Sequence, residues 1–181
     1  LAPNAPWMIE ALRKHFGSDC PQVTCVPFGI DDAWFEVERR PNHGRHVWVT
    51  VLRLTRAKIG SLFEWTRDFD RNLHEFHLFG PQQEAIEIPP WIHYHGSATP
   101  NQLAQEWFPT ATGMITLSQH SEGRPQVLLE AMAAGLPVIC SRTPAHEDVI
   151  HEGESGLLVS TQEDFNAALA LADAAAGLNV P

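Results

Sequence analysis

The chain has 181 residues, 44% of them hydrophobic, and its 12 basic and 22 acidic side chains give a formal net charge of −10. A chain of this length buries about 70% of its unfolded surface when it folds as one domain, which is enough for a hydrophobic core. The negative charge argues against a nucleic-acid partner, because such a partner requires a basic surface.

The cysteines and the hydropathy pattern bear on the cellular compartment. Cys20, Cys25 and Cys140 are odd in number and form no CxxC pair, so reduced thiols are expected. No apolar run approaches the roughly 20 residues with which a helix crosses a bilayer. We therefore expect a cytoplasmic protein.

The first quarter of the chain contains one predicted helix and the first strands. Residues 1–19 are predicted to form a loop and then a helix, since the apolar residues from Trp7 to Phe16 fall on one side. A short strand is predicted at residues 23–27, and a charged surface loop at residues 36–45. Residues 46–54 are apolar and β-branched, which predicts the first central strand.

Helical and strand-like patterns then alternate to the end of the chain. Their predicted order is a helix at 58–69, strands at 74–79 and 92–96, a helix capped by Thr99, strands at 113–117 and 137–140, a strand ending at 159, and a helix at 163–176 capped by Thr161. This alternation predicts an α/β fold with a doubly wound, Rossmann-like parallel sheet covered on both faces. A ligand of such a sheet lies at the carboxyl ends of the strands.

The stretch from Ser118 to Ser141, SQHSEGRPQVLLEAMAAGLPVICS, carries the strongest chemical pattern. Glu122 and Glu130 lie eight residues apart around a glycine turn and the start of a helix, where Pro125 suits the first helical position. Free backbone N–H groups at such a helix start suit a phosphate, and the Glu130 carboxylate could hold a pair of sugar hydroxyls. A strand–glycine–helix unit alone is weak evidence, because many doubly wound domains have one without a ligand.

The full pattern, Glu-Gly-x-Pro, four residues, then Glu-Ala-Met-Ala-x-Gly-x-Pro-Val-Ile, is more specific. It resembles the E-x7-E motif of retaining glycosyltransferases, most closely family 4, the group 1 glycosyl transferases, within the GT-B superfamily. The resemblance implies that Glu122 lies near the donor sugar and its phosphates and that Glu130 binds the nucleotide ribose. It also implies that the segment between them contacts the donor diphosphate through Gly123, Arg124, Pro125, Gln126 and Val127.

Two cations follow the first predicted central strand. Arg53 and Lys58 resemble the Gly-Arg-Leu-x-x-x-Lys-Gly element, whose arginine and lysine neutralise the donor diphosphate. The resemblance thus gives catalytic roles to Arg53, Lys58 and Glu122. Leu52 replaces the family's glycine and Ile59 separates Lys58 from the next glycine, so Lys58 could be displaced, with Arg56 as the substitute.

Three further segments resemble family elements. Gly80 stands where the family often carries Gly-x-Gly, which implies a donor contact, and the resemblance places His93 and Tyr94 on a strand beside the nucleotide base, where either could stack or hydrogen-bond. His93 and His95 as a metal pair is the less favoured alternative, because no third ligand stands at the required spacing. Glu147 matches a Glu-x-Val element with a structural role.

The resemblance implies a C-terminal, donor-binding lobe of a GT-B enzyme. Residues 1–22 would be a linker helix carried over from a missing N-terminal acceptor-binding domain, and residues 23–181 the nucleotide-sugar-binding domain. The whole enzyme would transfer a sugar from a UDP-, GDP- or ADP-linked donor to a hydroxyl acceptor. The anomeric configuration would be retained without metal or cofactor.

By analogy with the family, we expect the whole enzyme to act in cell-surface polysaccharide biosynthesis. It would associate peripherally with the inner face of a membrane. The isolated lobe is expected to be inactive. Two alternatives are a nucleotide-binding module without turnover of its own and a sugar-nucleotide epimerase of related fold.

Overall fold

The computed structural model describes residues 1–40 and 44–175. Six parallel strands form one sheet in the order β3-β2-β1-β4-β5-β6. The strands are β1 (His46–Val51), β2 (His74–Phe79), β3 (His93–Tyr94), β4 (Gly113–Thr116), β5 (Val138–Ser141) and β6 (Leu157–Val159). The predicted doubly wound α/β sheet is therefore confirmed.

Helices connect the strands and cover the sheet. The α-helices are α1 (Trp7–Phe16), α2 (Arg56–Ile59), α3 (Leu62–Trp65), α4 (Pro100–Gln102), α5 (Gln126–Ala133), α6 (Pro144–Glu147) and α7 (Gln162–Ala175). Two 3₁₀ turns lie at Gly17–Asp19 and Asp32–Glu36, and a π-helical turn at Leu103–Trp107 extends α4. Among the described residues, no helix is both long enough and apolar enough to cross a membrane.

The hydrophobic core lies on both faces of the sheet. Successive residues of β1 point to opposite faces, so Val49 packs with Met114 and Leu128 on one side. Trp48 packs on the other side, where α7 contributes Phe165. Burial on both faces explains why successive residues of β1 and β4 are buried.

The direction of the connections reverses between β1 and β4. From β1 the chain builds outward through β2 to β3, and it then returns to place β4 on the other side of β1. Parallel pairing joins Trp48 to Gly113 and Val49 to Met114 at this boundary. Ligands of open α/β sheets bind outside the carboxyl ends of the strands at such a point.

Most predicted elements are confirmed, with shifts at their ends. The predicted strand at 74–79 is β2, and Thr161 caps α7 by accepting a hydrogen bond from the Asp164 N–H at 3.1 Å. The predicted helix at 58–69 is instead split into α2 and α3, because Gly60 has a φ of +52° and closes α2. The last predicted residue of the final helix, Ala176, lies outside the described residues, as do residues 41–43 of the predicted surface loop.

The predicted strand at residues 23–27 is wrong. This segment is extended but does not join the sheet. The Thr24 N–H instead donates to the Leu1 carbonyl at 3.0 Å, and the Val26 N–H donates to the Pro3 carbonyl at 2.9 Å. Its β-branched residues therefore pair locally with the first residues of the chain. The domain boundary at residue 22 stays a prediction.

Candidate functional site

A cavity of about 410 Å³ opens at the carboxyl ends of β1 and β4, at the point where the strand order reverses. Eight residues singled out from the sequence line it, namely Arg53, Lys58, Gly80, Glu122, Arg124, Pro125, Gln126 and Val127. The fold thus brings together residues from three separate segments of the chain, at 53–58, 80 and 122–127. Gly123, Glu130 and His93, which we also predicted as donor contacts, are not part of the cavity wall.

Lys58 and Glu122 form an ion pair inside the cavity. The Lys58 Nζ lies 2.9 Å from Glu122 Oε2, and the two side chains are 15% and 22% exposed. Partial burial strengthens the attraction relative to a fully solvated pair. The pair therefore places one cation and one carboxylate in the cavity, and each can contact a different group of a ligand.

The position of Lys58 follows from the local fold of α2. The Thr55 hydroxyl caps this helix by accepting from the Lys58 N–H at 3.3 Å. A Cβ on Gly60 would overlap the carbonyl oxygen of Leu117, so glycine lets α2 lie directly against the end of β4. The extra residue Ile59 does not remove Lys58 from the site. Arg56, the substitute candidate, is 81% exposed beside Glu84 and lies outside the cavity.

The opposite wall contains the start of α5 and the loop before it, residues 119–125, which we call the acidic loop after Glu122. We predicted Pro125 as the first helical residue, but its ψ of 107° is extended and α5 begins at Gln126. The N–H groups of Gln126 and Val127 belong to the first turn, which has no intrahelical acceptors for them. Because both residues line the cavity, the positive end of α5 is available to an anion there.

Arg124 is held at the cavity wall by a carboxylate that the sequence did not indicate. Its Nη2 and Nε lie 2.6 and 3.1 Å from Asp148 Oδ2. Glu147, which we had matched to the family's acidic position, is half exposed and pairs with Arg142 at 3.4 Å. The acidic residue that binds Arg124 is therefore Asp148, one position later.

Gly80 contributes shape rather than hydrogen bonds. Its N–H donates to the Gly96 carbonyl at 2.7 Å, and its carbonyl accepts from the Tyr94 hydroxyl at 2.9 Å. A Cβ on Gly80 would overlap the carbonyl oxygen of Leu52, and its φ is +130°. The close approach of the segments after β1 and β2 is thus achieved with Leu52 in place of the family's glycine.

Glu130 lies on α5 but does not line the cavity. It is half-buried, and burial raises the pKa of its carboxyl. Glu130 is one helical turn from Gln126 and Val127, so it shares a face with two residues that line the cavity. This places a desolvated carboxylate beside the site, where a pair of hydroxyls could be held. Its ribose-binding role stays a prediction.

Sequence reasoning missed a buried hydrogen-bonded group below the cavity. The Ser141 hydroxyl donates to the carbonyl of Ser118, which lines the cavity. Nδ1 of His146 lies 2.6 Å from the Ser141 carbonyl oxygen, which accepts its hydrogen bond. Burial lowers the pKa of His146, which favours the neutral ring. Single serines and histidines at strand and helix ends leave no motif, and only the three-dimensional fold brings them together.

His93 belongs to a group of imidazoles on β2 and β3. Its ring stacks on His77 with centroids 5.0 Å apart, and His77 Nδ1 lies 2.9 Å from Nε2 of His95. Among the described residues, no three His, Cys, Asp or Glu side chains are arranged to hold a metal ion. The nucleotide-base contact of His93 stays a prediction.

The His77 imidazole makes stability depend on pH. Burial, followed by the charges of His93 and His95, lowers the pKa of His77 to about 4 from its ordinary 6.5. As the pH falls through 6.5, the His77 imidazole becomes protonated in the unfolded chain but stays neutral in the folded chain. The free energy of unfolding is therefore expected to fall by about 2–3 kcal/mol between pH 6.5 and 4.

Chemical denaturation at a series of pH values should show this slope, and His77→Phe should flatten it. His151→Phe, a change at an exposed position, is the control that should leave the slope unaltered. Equal slopes for the unmodified chain and His77→Phe would contradict the assignment.

Comparison with known proteins identifies the family. The model for "Glycosyl transferases group 1" matches residues 54–178, more than half of the chain. The curated D-inositol 3-phosphate glycosyltransferase of Corynebacterium glutamicum (strain R) is 28% identical over 210 residues. The match covers 98% of this chain and 48% of the relative, so the chain spans about half the length of that protein.

Solved structures agree on the fold. WaaG, a glycosyltransferase involved in lipopolysaccharide biosynthesis, has a TM-score of 0.78 at 17% identity, covering 98% of this chain and 54% of its own. Anabaena Alr3699/HepE, solved in complex with UDP-glucose, has a TM-score of 0.76 at 14% identity, covering 96% and 54%. These likenesses give the Rossmann-like fold of GT-B glycosyltransferases. Together with the match over residues 54–178, they lead to one conclusion: the chain belongs to the group 1 glycosyl transferases.

Proposed function

We propose that this chain is the donor-binding, C-terminal lobe of a retaining, family-4-like glycosyltransferase. The observation that carries the proposal is the cavity at the β1–β4 boundary, which combines three cations, a helix N-terminus and a carboxylate. This combination suits a nucleotide diphosphate sugar, which has an anionic centre between two hydroxyl-rich ends. The complete enzyme transfers the sugar to a hydroxyl acceptor held by a second domain.

The cations and the helix act on the diphosphate. Arg53 offers a planar fork to phosphate oxygens, and Lys58 offers a mobile point charge. The free N–H groups of Gln126 and Val127 complete the contact from the opposite wall. When the bond between sugar and phosphate breaks, negative charge accumulates on the leaving diphosphate. Groups fixed around it therefore lower the barrier. These protein groups supply the charge stabilisation that a divalent metal would otherwise give.

The carboxylates act on the two ends of the donor. Glu122 lies beside Lys58, so a sugar joined to the bound diphosphate lies within reach of its oxygens. Glu130, one turn along α5, receives the ribose hydroxyls. The UDP-glucose complex of HepE supports a uridine donor as the first to be tested.

Calorimetric titration of this chain with UDP, GDP and ADP, in the presence of a metal chelator, tests the donor site. Saturable binding of one nucleotide is expected. Charge-assisted hydrogen bonds contribute roughly 1.5–3 kcal/mol, so Glu130→Ala should weaken that binding by about ten- to a hundredfold. Glu106→Ala, at an exposed position on a different helix, should leave it unchanged. Equal affinity of Glu130→Ala and the unmodified chain for every nucleotide would contradict the ribose role.

A further inference from the structure

The first residues of the chain pack against the acidic loop of the candidate site. The indole Nε1 of Trp7 donates a hydrogen bond to the Gly123 carbonyl at 3.0 Å, across 116 positions of sequence. The Asn4 side chain lies against the same glycine, where a Cβ would overlap its Oδ1. Gly123 separates two residues that line the cavity, Glu122 and Arg124. The contact is thus made directly behind the site.

The acidic loop has few restraints of its own. Of the backbone groups of residues 121–124, the Gly123 carbonyl is the one with a hydrogen-bond partner among the described residues, and that partner is Trp7. Residues 119–121 are exposed. Ion pairs hold the side chains of Glu122 and Arg124, and the Trp7 indole is the partner that fixes the path of the loop backbone.

The segment that carries Trp7 is itself anchored. Ala5 is fully buried, and the carbonyls of Leu1 and Pro3 accept hydrogen bonds from residues 24 and 26. The chain then runs on to Gly29, whose carbonyl accepts from Gln126 Nε2 at 3.1 Å. Residues 1–29 thus hold the acidic loop at Gly123 and the start of α5 at Gln126.

We infer that Trp7 is a positioning residue of the donor site, which fixes Glu122 and Arg124 through its hydrogen bond to the Gly123 carbonyl. The inference rests on the proposed function. A loop that is ordered before the ligand arrives does not lose its conformational freedom on binding, so the ligand binds more tightly. Loss of this one hydrogen bond should weaken nucleotide binding by about three- to tenfold.

The test removes the indole N–H and keeps the shape of the ring. Benzothienylalanine, in which sulfur replaces the N–H, is incorporated at position 7, and Trp7→Phe serves as the coded counterpart. The matched control carries benzothienylalanine at position 91, because the Trp91 indole donates to the Thr66 hydroxyl at 3.3 Å, away from the acidic loop. Hydrogen–deuterium exchange of residues 119–125 is measured without ligand, and binding of UDP, GDP and ADP by calorimetry.

The expected result is faster exchange in residues 119–125 and weaker nucleotide binding for the change at position 7, with the same melting temperature. The control should alter neither. Unchanged exchange in the loop would overturn the inference, as would faster exchange with unchanged affinity. If the unmodified chain binds none of the three nucleotides, the proposed function has failed, and the exchange result alone then decides whether Trp7 holds the loop.

Discussion

Gly80→Ala is expected to destabilise the folded chain by about 3 kcal/mol or more. The glycine has a φ of +130°, a region that residues with a Cβ rarely adopt and that costs them about 1–3 kcal/mol. The added methyl group would also overlap the Leu52 carbonyl oxygen. Leu52 cannot retreat freely, because its N–H donates to the Phe79 carbonyl at 2.9 Å, and overpacking typically adds about 1–3 kcal/mol.

Variants at two other glycines distinguish the two causes of this loss of stability, backbone strain and steric overlap. Gly153 has a φ of +79° with open space around a Cβ, so Gly153→Ala should show the backbone strain alone. Gly29 has open space and no positive φ, so Gly29→Ala should change stability little. Denaturant titration of the three variants should therefore rank Gly80 above Gly153 and Gly153 above Gly29. A loss at Gly80 no greater than at Gly153 would show that the overlap with Leu52 is relieved at little cost.

Lys58→Met should weaken binding of a nucleoside diphosphate by about ten- to a hundredfold, because the phosphate oxygens lose a charge-assisted hydrogen bond. Methionine keeps much of the length and the apolar stem of lysine, so the change removes mainly the charge. Calorimetric titration measures the affinity. Arg56→Met, at the exposed arginine outside the cavity, is the matched control and should bind as the unmodified chain does. Equal losses for the two variants would contradict a local role of Lys58.

Glu122→Gln should change the affinity for a nucleoside diphosphate in the direction opposite to Lys58→Met. The Glu122 carboxylate pairs with Lys58 at 2.9 Å and also repels an entering diphosphate. Its neutralisation should therefore tighten binding of the nucleoside diphosphate, while the corresponding nucleotide sugar, whose sugar we propose contacts the carboxylate, should gain less or bind more weakly. Titration of both ligands against this variant shows whether the ratio of the two affinities changes. An unchanged ratio would exclude contact between Glu122 and the sugar.

The sheet could be predicted because its signals are local. Residues 74–79 alternate like a strand and end at a glycine, and the structure places β2 there. Residues 23–27 are rich in β-branched side chains, but a strand also needs a neighbour in the sheet, and the N–H groups of Thr24 and Val26 bond instead to the first residues of the chain. Pairing of that kind is not visible in a window of five residues.

The residues of the candidate site could likewise be predicted only where their signals are local. Lys58 and Glu122 stand in motifs whose spacing survives in the sequence, so they could be named before the fold was known. The partners of Arg124 and Gly123 could not, because Asp148 and Trp7 lie 24 and 116 residues away. Their contacts depend on how α1 and α6 lie against the acidic loop, which no local pattern records.

The reversal of strand order between β1 and β4 has a consequence for folding. Arg53 and Lys58 follow β1, in the half of the sheet that contains β2 and β3, whereas Glu122 and α5 follow β4 in the other half. Neither half alone contains Arg53, Lys58 and Glu122 together, so an intermediate in which only one half has formed has no complete site. A nucleotide sugar would bind the fully paired sheet in preference to every half-formed state, and mass action would then make unfolding of the two halves more cooperative.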